Sequence, residues 1–235
     1  MTSPRAAHPA QPWERRLSLP AYRYAEAARL AQTTPQTISR WLRGAATPGR
    51  RMRPVLPARA PGLLSYLQLI EVAFVADFRR LGVPLDNLRR AHAYLRKAFA
   101  VEFPFAQLEV KTDGASVLVE YIEHEGGQAL RRLVAADRGG QLAWPELIQA
   151  RFEQLDYEGH RAVRWYPRGR SVPIVVDPRI AFGAPLVERA GVATWVLRER
   201  YEAGESLSDL EAEFGVTREQ LAAALAFEGL ALQAA

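Results

Sequence analysis

The sequence predicts an α+β fold that is mainly helical. It has a helix-turn-helix near the N-terminus, a small β-containing middle segment and a C-terminal helical module with a helix-turn-helix-like pattern of its own. Three observations predict this. Apolar residues recur at helical spacing in two short pieces between Tyr24 and Gly44. The period changes to alternation on either side of Asp113-Gly114, a hairpin signal. Two more helical pieces, divided by Gly215, close the chain.

Residues 1–18 are rich in Pro, Ala and Arg and are expected to form a flexible arm. In the first helical piece Tyr24, Ala28 and Ala31 share one side, flanked by Ala27 and Leu30. Gln32-Thr33-Thr34 is the length of turn a helix-turn-helix uses. Thr34 suits the cap of the second piece, because its hydroxyl accepts from an orphan backbone N–H, and Pro35 suits the first helical position, where no N–H is needed. Ile38, Trp41 and Leu42 fall on one face, and Gly44 is the expected stop. Residues 44–62 hold four prolines and read as a loop or an extended ribbon, not a helix.

A longer helix is expected from Leu63, with a stripe of Leu67, Ile70, Phe74 and Phe78, ending at Gly82. Another starts at Pro84, with Leu85, Leu88, Ala91 and Leu95 on one face. Leu108 and Val110 are expected to face Val117, Val119 and Tyr121 across the hairpin, and 130–141 reads as a further strand and turn. Residues 145–155 read as a short helix, and 161–166 and 173–176 as short strands. From Leu186 the pattern is helical with breaks at Gly191, Gly204 and Gly215. There Ser208 and Thr217 are expected as caps, with Leu210, Phe214, Val216, Leu221 and Leu225 as core.

The length, 235 residues, suits about two domains. With 49% apolar and 24% charged residues the chain can bury a core. The absence of cysteine excludes disulfides, thiolate metal sites and a Cys nucleophile. His8, His92, His124 and His160 have no metal-ligand spacing. The best apolar run, Leu63 to Val75, contains Glu71 and is too short to span a bilayer. No apolar stretch precedes a cleavage site near the N-terminus, so a cytoplasmic protein without a membrane partner is expected.

Net charge is +5, but its distribution is uneven. Residues 27–70 hold Arg29, Arg40, Arg43, Arg50, Arg51, Arg53 and Arg59 and no acid, whereas 177–235 carry −5. An acid-free basic segment suits phosphate. On the second helix of the N-terminal pair, Gln36, Thr37, Arg40 and Arg43 project away from the Ile38/Trp41/Leu42 face. Gln suits adenine, Arg suits guanine or phosphate, and Thr suits phosphate or a thymine methyl. Arg50, Arg51 and Arg53 would then lie along the DNA backbone. The plainer alternative is an amphipathic helix pair with a solvated polar face. The acidic surface of the C-terminal module (Glu205, Asp209, Glu211, Glu213, Glu219, Glu228) repels phosphate and favours packing or oligomerisation.

Residues 24–30, YAEAARL, and 37–44, TISRWLRG, resemble the reading head of MerR-like regulators, and 78–89, FRRLGVPLDNLR, is similar to a later segment of that layout. The resemblance covers about 19–105 and implies a winged helix-turn-helix that binds DNA. The stretch 44–62 is longer and richer in proline than the usual wing. Residues 174–187, IVVDPRIAFGAPLV, resemble the opening of domain-of-unknown-function family number 433, and 191–197, 203–210 and 217–227 follow in register. The chain has Glu188-Arg189-Ala190 where that family usually has Gly-Thr-Arg. That family is associated with VapB-type antitoxins.

The organisation expected is therefore a flexible arm (1–18), a MerR-like DNA-binding domain (19–105), a β-hairpin-containing middle segment (106–173) and a C-terminal antitoxin-type helical domain (174–235). The resemblance implies an antitoxin of a type II toxin–antitoxin system. It would bind and neutralise a PIN-like ribonuclease toxin of VapC type, and repress its own operon as a homodimer on operator DNA. An acidic C-terminal surface would complement a basic RNA-binding face on the toxin. The alternative is a stand-alone MerR-like regulator sensing a small ligand. Asp177, the pair Glu188 and Glu199, and His124 are the candidate catalytic groups, and each lacks the partners a mechanism needs. No enzyme, metal or cofactor is expected, and the DNA-binding candidates are Gln36, Thr37, Arg40, Arg43, Arg50, Arg51 and Arg53.

Overall fold

A computed structural model describes residues 13–47, 50–107, 150–158 and 161–230. It mixes helix and sheet. The expected hairpin at Asp113-Gly114 and the strand and turn at 130–141 lie outside the described residues.

The first described element is α1 (Glu14–Ser18), which lies within the stretch 1–18 expected as a flexible arm; residues 1–12 lie outside the described residues. Leu17 is buried against the main core, and Trp13 packs on the same cluster. Then come β1 (Tyr22–Arg23) and α2 (Tyr24–Leu30), whose Ala27, Ala28 and Leu30 are buried. The turn Gln32-Thr33-Thr34 has Gln32 in the left-handed region at φ 51°. It leads into α3 (Pro35–Arg43), where the Thr34 hydroxyl accepts from the Thr37 N–H at 3.1 Å. Ile38, Trp41 and Leu42 are buried, as their spacing predicts.

The short strands β2 (Ala45–Thr47) and β3 (Arg50–Met52) pair antiparallel. The chain returns under α3, where the Val55 N–H donates to the Trp41 carbonyl at 2.7 Å. Leu63 does not start the long helix. Leu63–Leu64 is strand β4, paired with β1, and α4 (Tyr66–Arg80) begins only after Ser65 and Gln68 have exchanged backbone hydrogen bonds in a capping box. Every residue of α4 from Tyr66 to Ala76 is buried, so it is a central helix rather than a one-sided one. Its Glu71 is only 2% exposed. The Glu71 carboxylate accepts from the Phe105 N–H at 2.7 Å and lies 2.7 Å from His92 Nε2, which is how a carboxylate interrupts the best apolar run without facing water.

Helix α5 (Leu85–Phe99) packs Leu88, Ala91 and Leu95 inward, and α6 (Pro104–Gln107) closes this part. A four-stranded antiparallel sheet follows in the order β5 (Leu155–Glu158), β6 (Arg161–Trp165), β7 (Ile174–Val176), β8 (Pro185–Val187). It draws strands from both sides of residue 173. Leu155, Ala162, Trp165 and Val176 join the core built on α4, whereas Ile174 and Val187 join a second core. That second core is formed by α7 (Thr194–Glu202), α8 (Leu207–Phe214) and α9 (Arg218–Phe227). One sheet therefore belongs to both cores.

The tail departs from its expected pattern twice. Leu186 lies in a strand, and helix resumes only at Thr194. Ser206, not Ser208, caps α8, since its hydroxyl accepts from the Asp209 N–H at 3.1 Å. Thr217 caps α9 as predicted, in a capping box with Gln220. Among the described residues no helix is long and apolar enough to cross a membrane.

Candidate nucleic-acid interface

The predicted residues lie on α3, on the hairpin that follows it and just beyond, and two of them, Arg40 and Arg53, border one groove. Gln36 and Arg40 are exposed on α3, and Thr37 is half-buried, its hydroxyl accepting from that of Thr34 at 2.9 Å. Arg43 is exposed with its guanidinium 5.8 Å from the centre of the Tyr24 ring. Arg50 and Arg51 stand on β3 opposite Thr47 and Ala46; only their backbone is described. Arg53 is exposed just beyond β3.

Arg40 and Arg53 line one wall of a groove of about 1030 Å³, together with Ala45 and Met52. The opposite wall comes from the α4–α5 hairpin and carries Arg79, Arg89 and Arg90 against a single acid, Asp86. Charge counting misses these three arginines because 71–176 is nearly neutral on average. The visible signal is two Arg-Arg doublets, 79–80 and 89–90, flanking Gly82-Val83-Pro84.

The arginines play different parts. Arg89 donates to the carbonyls of Arg53 and Pro54, both at 2.8 Å, and pairs with Asp86, tying the β3 return to α5. Arg79 donates to the Val83 carbonyl at 2.6 Å. Neither is free to swing. Arg40 and Arg53 are exposed and have no ion-pair partner among the described residues.

The acid-free segment is also less free than its sequence implies. Arg29 pairs with Glu228 at 2.8 Å, and Arg59 pairs with Glu102. The Phe227 ring lies between Arg29 and Arg168, at 5.3 and 5.0 Å. Arg168 also donates to the carbonyls of Leu30 and Arg29, at 3.0 and 3.2 Å, and Arg80 donates to those of Ala31 and Gln32, at 3.1 and 3.2 Å. Two arginines thus cap the C-terminal end of α2, where helix carbonyls are unpaired. They fix the α2–α3 turn to the sheet and to α4. The C-terminal acids are similarly occupied: Arg200 pairs with Glu205 and Glu213, Arg198 with Glu202, and Arg218 with Glu211.

The joint between α3 and β2 depends on Gly44. Its φ is +77°, and a Cβ there would stand 2.4 Å from the Met52 carbonyl oxygen. Gly44→Ala is expected to destabilise the fold by about 1–3 kcal/mol, read as a lower denaturant midpoint at unchanged m-value.

Of the candidate catalytic groups, Asp177 is fully buried and accepts from the Arg179 N–H and guanidinium and from Arg164. Burial alone would raise its pKa, but the Arg179 hydrogen bonds and the nearby guanidinium charges hold it below the usual carboxylate range. Glu188 accepts from the Tyr166 hydroxyl at 2.8 Å. Both carboxylates are built into hydrogen-bond networks of the sheet. His124 lies outside the described residues.

Residues 174–227 match the family model described as "Protein of unknown function (DUF433)". Over 231 residues the chain is 26% identical to the Mycobacterium tuberculosis protein named "Putative antitoxin VapB45", across 92% of this chain and 96% of that one. It is 25% identical over 221 residues to "Uncharacterized protein Rv2308" of the same organism, across 85% of this chain and 86% of that one. The crystal structure of Rv2018 from Mycobacterium tuberculosis is similar with a TM-score of 0.70 at 27% identity, covering 89% of this chain and 99% of that one.

Proposed function

We propose that this chain is the antitoxin of a type II toxin–antitoxin pair. It binds and neutralises a PIN-like ribonuclease toxin of VapC type, and it represses its own operon. Residues 19–105 act as a MerR-like winged helix-turn-helix in which α3 reads bases and the β2–β3 hairpin follows the phosphates. A homodimer on a palindromic operator is the expected form. The chain works in the cytoplasm and has no catalytic activity of its own.

The observation that carries this reading is the pairing of two features in one chain. One is the near full-length similarity to the protein named "Putative antitoxin VapB45". The other is an α3 whose exposed Gln36 and Arg40 border a groove with five arginines and one acid. Phosphate neutralisation is a large part of protein–DNA affinity, and the exposed Arg40 and Arg53 at the mouth of this groove suit it.

Co-expression with the product of the neighbouring reading frame tests the toxin half. The expected result is a stable complex and restored growth in cells producing the toxin. Growth arrest that persists, with no copurifying toxin, would remove the antitoxin assignment. Operator retardation by the free chain tests the DNA half.

A further inference from the structure

The loop between β7 and β8 holds an aromatic ring in water. Phe182 is 85% exposed, more than any other large apolar side chain among the described residues, and Ile180 beside it is 41% exposed. Both Ala181 and Phe182 lie in the left-handed region, at φ 46° and 54°. Residues with a Cβ adopt that conformation at a cost, and two in succession are unusual. The loop is not loose. Gly183 donates to the Ile180 carbonyl at 2.9 Å, Ala184 to the Ala181 carbonyl at 3.0 Å, and the buried Tyr22 hydroxyl to the Gly183 carbonyl at 3.1 Å. Among the described residues the Arg16 guanidinium lies 5.6 Å from the centre of the Phe182 ring, which otherwise faces solvent. A rigid, strained loop that presents an aromatic ring with so little internal return has the form of a preorganised binding anchor.

The charge around the anchor indicates what it meets. Glu14 is paired with Arg161, Glu158 with Arg179, and Asp177 is buried. Arg16, whose guanidinium lies over the ring, is exposed and has no acidic partner among the described residues. The charge at the edge of the ring is therefore a cation with no acidic partner among the described residues, and the acids of the C-terminal helices are largely paired with arginines of their own.

We propose that Phe182, flanked by Ile180 and Arg16, is the anchor by which this chain docks its protein partner. The complementary surface is an apolar pocket with carboxylates at its mouth. The inference rests on the antitoxin reading in that the partner is the toxin encoded by the neighbouring reading frame.

The test compares full-length wild type with Phe182→Asn and Arg16→Ala, measuring the Kd for the purified toxin, the Tm and operator affinity. Asn tolerates the left-handed region, so Phe182→Asn is expected to keep or raise the Tm while weakening toxin binding at least tenfold. Arg16→Ala is expected to weaken it at least threefold, more at low salt than at high salt. A loss below threefold for Phe182→Asn overturns the anchor and leaves the antitoxin reading standing. Lost operator affinity with intact toxin binding would make the loop a nucleic-acid contact and overturns it as well. If the wild-type chain forms no complex with the toxin, both readings fall together.

Discussion

Arg40→Ala is expected to lower affinity for the operator by about 10- to 100-fold while leaving the Tm unchanged. Arg40 is exposed on α3, has no ion-pair partner among the described residues, and borders the basic groove. Its removal therefore takes away nothing that the fold is seen to use, and on the proposed reading it takes away a contact to DNA. A base-directed arginine contributes about 1–3 kcal/mol of discrimination, which sets the size of the effect. Non-specific binding should change far less, because it depends on the summed phosphate contacts. Substituting Arg50 and Arg51 on the hairpin is expected to do the reverse: affinity falls for all sequences alike, and the slope of log K against log salt becomes shallower by about one per arginine. Arg29 is the informative control. It belongs to the same acid-free segment, yet it pairs with Glu228 and stacks on Phe227. Arg29→Ala should lower stability and leave the salt slope as it was. Fluorescence anisotropy on operator and scrambled duplexes at several salt concentrations, beside thermal melts, separates the three outcomes. An Arg40→Ala protein with wild-type operator affinity would remove α3 from the DNA interface.

The difference between Arg29 and Arg40 also shows how far a linear sequence can be read. Its signals are strong where chemistry is local. Thr34-Pro35 before α3, Gly44 after it, and the Thr217–Gln220 capping box all act within four residues, and each stands where the sequence places it. The apolar spacing of Ile38, Trp41 and Leu42 likewise gives the buried face of α3. What stays hidden depends on partners far along the chain. Arg29 meets a glutamate 199 positions later, Arg168 caps a helix 138 positions earlier, and β1 pairs with β4 across α2, α3 and the β2–β3 hairpin. Leu63-Leu64 reads as helix because its neighbours do, but pairing with Tyr22 and Arg23 makes it a strand. Charge counting fails for the same reason. It registers the missing acids in 27–70 and cannot register the acids that folding brings to Arg29 and Arg59. Conversely, the groove arginines of the α4–α5 hairpin sit in a segment whose average charge is close to neutral, so only the fold reveals them beside Arg40.

Asp177→Asn is expected to destabilise the protein by about 2–4 kcal/mol, a larger loss than that expected for Gly44→Ala. The carboxylate is fully buried and accepts from the Arg179 N–H at 2.9 Å, from Arg179 Nη2 at 2.7 Å and from Arg164 Nε at 3.3 Å. An asparagine keeps the shape but offers one oxygen where two accept, and it turns an N–H₂ toward guanidinium donors. The damage extends beyond β7. Arg179 stacks over Trp13, pairs with Glu158, and its carbonyl accepts from Arg16 at 3.3 Å, so the same carboxylate orders the contact of α1 with the sheet and the base of the Phe182 loop. The pH dependence follows from the direction of the shift. The Asp177 pKa is lower folded than unfolded, so its contribution is fully present above the unfolded value of about 4 and is lost as pH falls through the folded value. Denaturant titrations should therefore show a constant gap between wild type and Asp177→Asn from neutral pH down to about pH 5. Below about pH 4 the gap should narrow, because the wild-type carboxyl becomes neutral as well. A gap that stayed constant into strong acid would mean that the ionised carboxylate is not what joins α1 to the sheet, and that the hydrogen bonds around Asp177 hold equally well without its charge.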